Sequence, residues 1–88
     1  MTRNIRPTLT WFTKCMEEKL KENDHKGTWI GCHPDWLFYR LAQEVEELQE
    51  TLFFTSSSEQ IIREAADVAN FAMMIADVVR HKGATQRE

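Results

Sequence analysis

Little in this chain points to the commonest specialised classes. Only two cysteines occur in 88 residues, Cys15 and Cys32, and they form neither a CxxC nor any metal-ligand repeat. That pattern reads as free thiols in a reducing cytoplasm rather than a disulfide framework. A zinc site from Cys15, Cys32, His25 and His33 is conceivable, but the usual ligand spacings are missing. Positive charge is not in excess: the formal net charge is −3, against the basic face that a nucleic-acid binder shows. No apolar run suits a membrane span, because the longest, Ala65 to Val79, is too short and carries Asp67, Asn70 and Asp77. The start, Met1-Thr2-Arg3-Asn4, lacks the apolar core of a signal peptide, so a cytoplasmic location is expected. Internal repeats and low-complexity tracts are also lacking.

What remains is one small domain over residues 1–88, with 1–7 and 83–88 expected to fray. A chain of this length buries only about 60–65% of its unfolded surface, so an isolated copy has a thin core. The apolar content is nonetheless an ordinary 42%, with three Trp and five Phe as bulky filling.

The periodicity predicts three helices and an all-α fold. The first runs from about Thr8, a candidate cap, to Glu22, with Leu9, Phe12, Met16 and Leu20 at helical spacing. Asn23 to Cys32 contains two glycines and turn formers and reads as an ordered loop. Pro34 opens the second helix, where a missing N–H costs nothing, and that helix extends to about Phe54. Leu37, Leu41, Val45, Leu48 and Leu52 form its apolar stripe; Trp36, Arg40, Glu44, Glu47 and Thr51 form the neighbouring one. Thr55-Ser56-Ser57-Ser58 breaks the helix and supplies a cap for the third, from about Glu59 to His81. There Ile61, Ala65, Val68, Ala72, Ile75 and Val79 make the main stripe, widened by Phe71, Met74 and Val78 on one side and Ile62, Ala69, Met73 and Ala76 on the other. Two helices of this length cannot cover so broad a surface, so a partner subunit is expected to complete the antiparallel bundle.

Four carboxylates are the candidate site. Glu44 and Glu47, and again Glu64 and Asp67, are spaced i, i+3, so each pair projects from one side of its helix. A helical hairpin brings consecutive helices into antiparallel contact, which lets the two pairs meet. Four such charges cannot all stay ionised at close quarters without a cation among them. Hard oxygen ligands on helices suit Mg²⁺, which keeps several waters and takes its remaining ligands from phosphates. The duller reading is that the carboxylates pair with Arg40 or Lys14, or face water.

With Gln43-Glu44-Val45-Glu46-Glu47 followed by Glu64-Ala65-Ala66-Asp67, the chain resembles the MazG-like all-α nucleoside triphosphate pyrophosphohydrolases, whose signature is EExxE and, after a helix–turn, ExxD. The resemblance covers about Trp29 to Val79 and takes in Trp29, His33-Pro34, Leu37 and Leu41 upstream of the first motif. Lys21-x-Asn23-x-His25-Lys26-Gly27-x-Trp29 with Asp67-Val68-Ala69-Asn70-Phe71 also looks like a small bacterial and phage branch of that superfamily. One position departs: Gln43 stands where the motif has its leading Glu, on the side turned away from the core.

The resemblance implies a four-helix-type core shared by a homodimer, or a tetramer of two dimers. It implies hydrolysis of a (deoxy)nucleoside triphosphate to monophosphate and pyrophosphate, as in sanitising a nucleotide pool. Glu44, Glu47, Glu64 and Asp67 would hold one or two Mg²⁺, with Mn²⁺ as a substitute, and Glu47 is the first choice for a general base, followed by Glu44. Lys26 and Lys14 are candidates for the triphosphate, Trp29 for stacking on the base, Asn70 for the sugar, and His25 and His33 for phosphate or base. Two alternatives stand beside it: a phosphoribosyl-ATP pyrophosphohydrolase on the same scaffold, and a non-catalytic helical interaction module with an acidic face.

Overall fold

The computed structural model describes residues 4–86, and side chains for residues 4–82. Three helices make up the described chain: α1 (Pro7–Glu22), α2 (Pro34–Phe54) and α3 (Ser58–Gln86). Asp24–Lys26 adds a single 3-10 turn, and no strand occurs among the described residues.

Each boundary has a local cause. Pro7 occupies the first turn of α1 after an extended Arg6 that makes no side-chain cap, so Thr8 lies inside the helix and is not its cap. At the other end Lys19 and Lys21 complement the helix dipole, and the Asn23 backbone N–H closes onto the Leu20 and Lys21 carbonyls. Gly27 has φ +91°, a conformation that favours glycine, and it turns the chain towards α2. His33 caps α2 by accepting from the Asp35 N–H at 3.0 Å through Nδ1, with Pro34 just inside. The cap expected in the serine run is Ser57, whose Oγ accepts from the Gln60 N–H at 3.2 Å. α3 begins where expected but continues past His81 through Gly83 to Gln86, because a glycine costs a helix about 1 kcal/mol without ending it. Residues 83–86 are therefore helical rather than frayed, and Pro7 is likewise ordered; the expected fraying at 1–3 and 87–88 falls outside the described residues.

α3 is the spine. Both α1 and α2 pack on it and not on one another. Both run antiparallel to it, as the Met16–Asn70, Lys19–Asp67 and Glu22–Arg63 contacts show on one side and Arg40–Phe71 and Glu44–Glu64 on the other. The result is an open V in cross-section, not a closed three-helix bundle.

The apolar stripes lie only in part where the periodicity puts them. Among the described residues, Leu37, Ala66 and Val78 are the fully buried apolar side chains, joined by Glu44 and Asn70. On α2 the inward row is Leu37, Leu41, Glu44 and Leu48, while Val45 and Leu52 are 47% and 58% exposed. On α3 the inward row includes Ala66, Asn70 and Val78, while Ala72 and Val79 of the expected main stripe face out. Both helices turn their more polar flank towards each other and leave an apolar face open.

The dimensions agree. The radius of gyration is 14.9 Å, whereas a compact chain of this length has about 12 Å. The accessible surface is 7002 Å², roughly 1,600 Å² above the value of about 5,400 Å² for a compact monomer of this mass.

Candidate metal centre

Where α2 crosses α3, ligand oxygens of Glu44, Glu47 and Glu64 all lie within 4.8 Å of one another. The rotation of α2 creates this meeting: it carries Glu44 off the flank and into the interface, where it is only 6% exposed. Glu64 is half-buried and Glu47 faces solvent. Glu44 Oε1 and Glu64 Oε1 are both buried with no hydrogen-bond partner. An ionised oxygen left in that state loses its hydration without replacement, which proteins rarely tolerate without a counter-ion or a proton.

The titration behaviour follows from the same geometry. Burial pushes the Glu44 carboxyl above its usual range, and Glu47 and Asp67 push further in that direction against Arg40. Burial also raises Glu64, helped by Asp67 and Glu47. Asp67 is raised by burial too, although Lys19 pulls it back.

Asp67 does not join the tight group of three. It sits one turn beyond Glu64 on the wall of the adjoining cleft, with Oδ2 3.4 Å from Lys19 Nζ. On the other side Arg40 Nη2 lies 3.2 Å from Glu44 Oε2, its Nη1 donates to Gln43 Oε1, and its guanidinium carbon is 4.9 Å from the Phe71 ring centroid. Of the expected neutralising partners, Arg40 is thus engaged and Lys14 is not. Four carboxylates against Arg40 and Lys19 leave a formal charge of −2, the complement of one dication. The donor set is all oxygen, which suits Mg²⁺ or Mn²⁺ and not a soft metal.

The cleft holds about 480 Å³, the size of a small-molecule site. The end of α1, the 23–33 connection and the first half of α2 wall it, with α3 as its floor. Lys26, Trp29 and Asn70 line it, as do Glu44, Glu47 and Asp67. Lys14 and His25 do not: Lys14 lies on the exposed side of α1 and His25 is exposed on the 3-10 turn. Asn70 lies buried between α1 and α3. It is 3% exposed, its Nδ2 donates to the Met16 carbonyl at 3.0 Å, and its Oδ1 is buried without a partner. Trp29 is tied to α3, Nε1 donating to Asp77 Oδ2 at 3.0 Å. Asp77 is held below the usual carboxylate range by that bond and by Arg80.

Three cleft residues escape the sequence reading: Lys19, Trp36 and, as more than a neutraliser, Arg40. The spacing of Trp36, Arg40 and Glu44 at four-residue intervals was a usable signal; nothing local marks Lys19 over Lys14. The cysteine–histidine alternative is not assembled, since the carboxylate trio is the one metal-competent group among the described residues and both thiols are free. His33 instead caps a helix. No described helix is long and apolar enough to cross a membrane.

Compared with protein-family models, with curated proteins and with solved structures, the chain matches none of them.

Proposed function

We propose that the protein is a MazG-like pyrophosphohydrolase that cleaves a (deoxy)nucleoside triphosphate to the monophosphate and pyrophosphate. The observation that carries this reading is the pair of orphaned, buried carboxylate oxygens, Glu44 Oε1 and Glu64 Oε1, with Glu44 and Glu47 at the wall of a nucleotide-sized cleft. Glu44, Glu47 and Glu64 are the residues to hold a dication, with Asp67 contributing once Lys19 is drawn off. A bound dication supplies charge neutralisation for the phosphate oxygens and lowers the pKa of a water.

The chain's own side chains account for the remaining steps. Glu47, solvent-facing beside the other two, takes a proton from the attacking water. The water oxygen bonds to the α-phosphorus, the bond from that phosphorus to the α,β-bridging oxygen breaks, and pyrophosphate leaves. Trp29 and Trp36 offer flat apolar faces to a base, and Lys26 and Lys19 offer positive charge to the phosphates. Asn70 Oδ1, fixed by the bond its amide makes to α1, is an acceptor for a sugar hydroxyl or an amino group.

A second copy of the chain completes the fold in this reading. Phe38, Val45 and Leu52 recur on the open face of α2, and Ala72, Ala76 and Val79 on that of α3. Large side chains on one helix and small ones on the other suit a four-helix core shared by two copies. The excess surface of roughly 1,600 Å² per copy is in the range that obligate dimers bury.

Pyrophosphate release from a panel of canonical and modified nucleotides, with phosphoribosyl-ATP included, tests the proposal in Mg²⁺ and in Mn²⁺. Turnover of at least one compound, abolished by Glu47→Gln without loss of fold, is expected. No turnover anywhere in the panel favours the non-catalytic module, a reading supported by Arg40 and Lys19 already engaging Glu44 and Asp67.

A further inference from the structure

We infer that Arg40 is a phosphate-positioning residue, its guanidinium aimed into the cleft by the side chain of Gln43. The inference rests on the dication reading above and concerns a residue that reading leaves as a mere counter-charge.

Three contacts fix the guanidinium. Nη1 donates to Gln43 Oε1, Nη2 lies 3.2 Å from Glu44 Oε2, and the Phe71 ring lies beneath at 4.9 Å. The group lines the cleft and is about a third exposed, so one edge faces the space where a polyphosphate fits. Arginine carries five N–H donors in a rigid fork that matches phosphate oxygens two at a time. Two of the five point back along α2; the stacking on Phe71 keeps the plane from swinging away.

The identity of residue 43 decides how many carboxylates compete for the fork. A glutamate there would set two carboxylates on one guanidinium and add a further negative charge beside the trio. Gln43 makes the same hydrogen bond without the charge, so Arg40 is balanced by Glu44 alone. Glu44, like Glu64, also carries a buried oxygen without a partner. A Glu44 carboxylate shared with a dication would hold Arg40 less tightly and leave more of the guanidinium free for a phosphate. Dication and phosphate binding would then be coupled through one side chain, Glu44. The Gln43 departure from the EExxE pattern thus acquires a role instead of counting as a defect.

The test separates the two ligands. Mn²⁺ binding to the full chain is measured alone by titration calorimetry, and inorganic tripolyphosphate binding is measured at saturating Mg²⁺. Arg40→Gln is expected to leave Mn²⁺ affinity equal or higher and to weaken tripolyphosphate about 10- to 100-fold, the worth of charge-assisted hydrogen bonds. Gln43→Glu should move both in the same directions by smaller factors, and Arg40→Lys should recover part of the tripolyphosphate affinity. Wild-type Mn²⁺ binding with tripolyphosphate affinity unmoved by Arg40→Gln overturns this inference alone. A parallel fall of Mn²⁺ and tripolyphosphate binding in Arg40→Gln also overturns it, by making Arg40 structural. Failure of the wild-type chain to bind Mn²⁺ overturns the dication reading and this inference together.

Discussion

Exchanging Glu44 for glutamine should make the metal-free protein more stable while abolishing its response to Mg²⁺. Glutamine keeps the shape of the side chain and removes the charge that sits 6% exposed among Glu47 and Glu64. At 4.8 Å and an effective dielectric of about 20, each fully ionised pair in the group costs about 3.5 kcal/mol, less where Glu47 meets solvent. Against this gain stands the Arg40 contact at 3.2 Å, worth about 5 kcal/mol on the same scale before solvent screens the partly exposed guanidinium. The two nearly cancel, and relief of the buried charge tips the balance by about 1–2 kcal/mol towards the variant. At a pH where the wild-type carboxylates are ionised, that is a rise of roughly 5–15 °C in Tm in EDTA. The wild type, in turn, gains about 2.7 kcal/mol at a Mg²⁺ concentration a hundred times its Kd, or about 10–20 °C. Melts followed by circular dichroism, with Mg²⁺ compared against NaCl of matched ionic strength, read both effects. A variant that melts well below the wild type in EDTA, yet keeps the Mg²⁺ increment, would refute the argument that Glu44 is a charge awaiting a cation.

Stability should also depend on pH with a definite sign. Glu44, Glu64 and Asp67 have raised values, so the folded state binds more protons than the unfolded chain above the ordinary carboxylate range. Without metal, the urea midpoint should therefore fall as pH climbs through those raised values, and Mg²⁺ should flatten that limb. Glu22 and Asp77 are lowered, so what they contribute persists at neutral pH and is lost as pH drops through their lowered values; a curve with neither limb would contradict this. Val45→Glu, on the open face of α2, should halve the particle mass in light scattering and leave the helical signal of each chain intact. An unchanged mass would remove that face from the subunit contact. Asp77→Ala should release Trp29, speeding amide exchange in the 27–33 connection and raising the KM of a nucleotide more than it lowers kcat. Exchange rates equal to the wild type would leave the Trp29–Asp77 bond without a positioning role.

How much of this was legible in the residues depends on whether a signal was local. Helix ends were, because Pro34, Ser57 and the Gly27 turn act on their immediate neighbours. Gly83 misled for the opposite reason: a glycine weakens a helix without specifying an end. The convergence of Glu44, Glu47 and Glu64 followed from two i, i+3 pairs and a short turn. Which face of each helix points inward followed only in part: Leu37, Leu41 and Leu48 of the expected α2 row do turn inward. A helix with apolar residues on two sides satisfies its periodicity equally well in two orientations, and here the richer stripes of Val45 and Leu52, and of Ala72 and Val79, lie outside. Lys19 was chosen over Lys14 by how α1 crosses α3, a fact of tertiary packing that no window of α1 contains.

The independence of α1 and α2 has a mechanical consequence. Each leans on α3 alone, so the angle between them is braced only by the connection through residues 23–33. A guest lodged in the gap, gripping Lys19 and Lys26 on one arm and Arg40 on the other, would act as a strut across an unbraced frame. Rigidity would then arrive with the cargo, and its departure would let the arms relax.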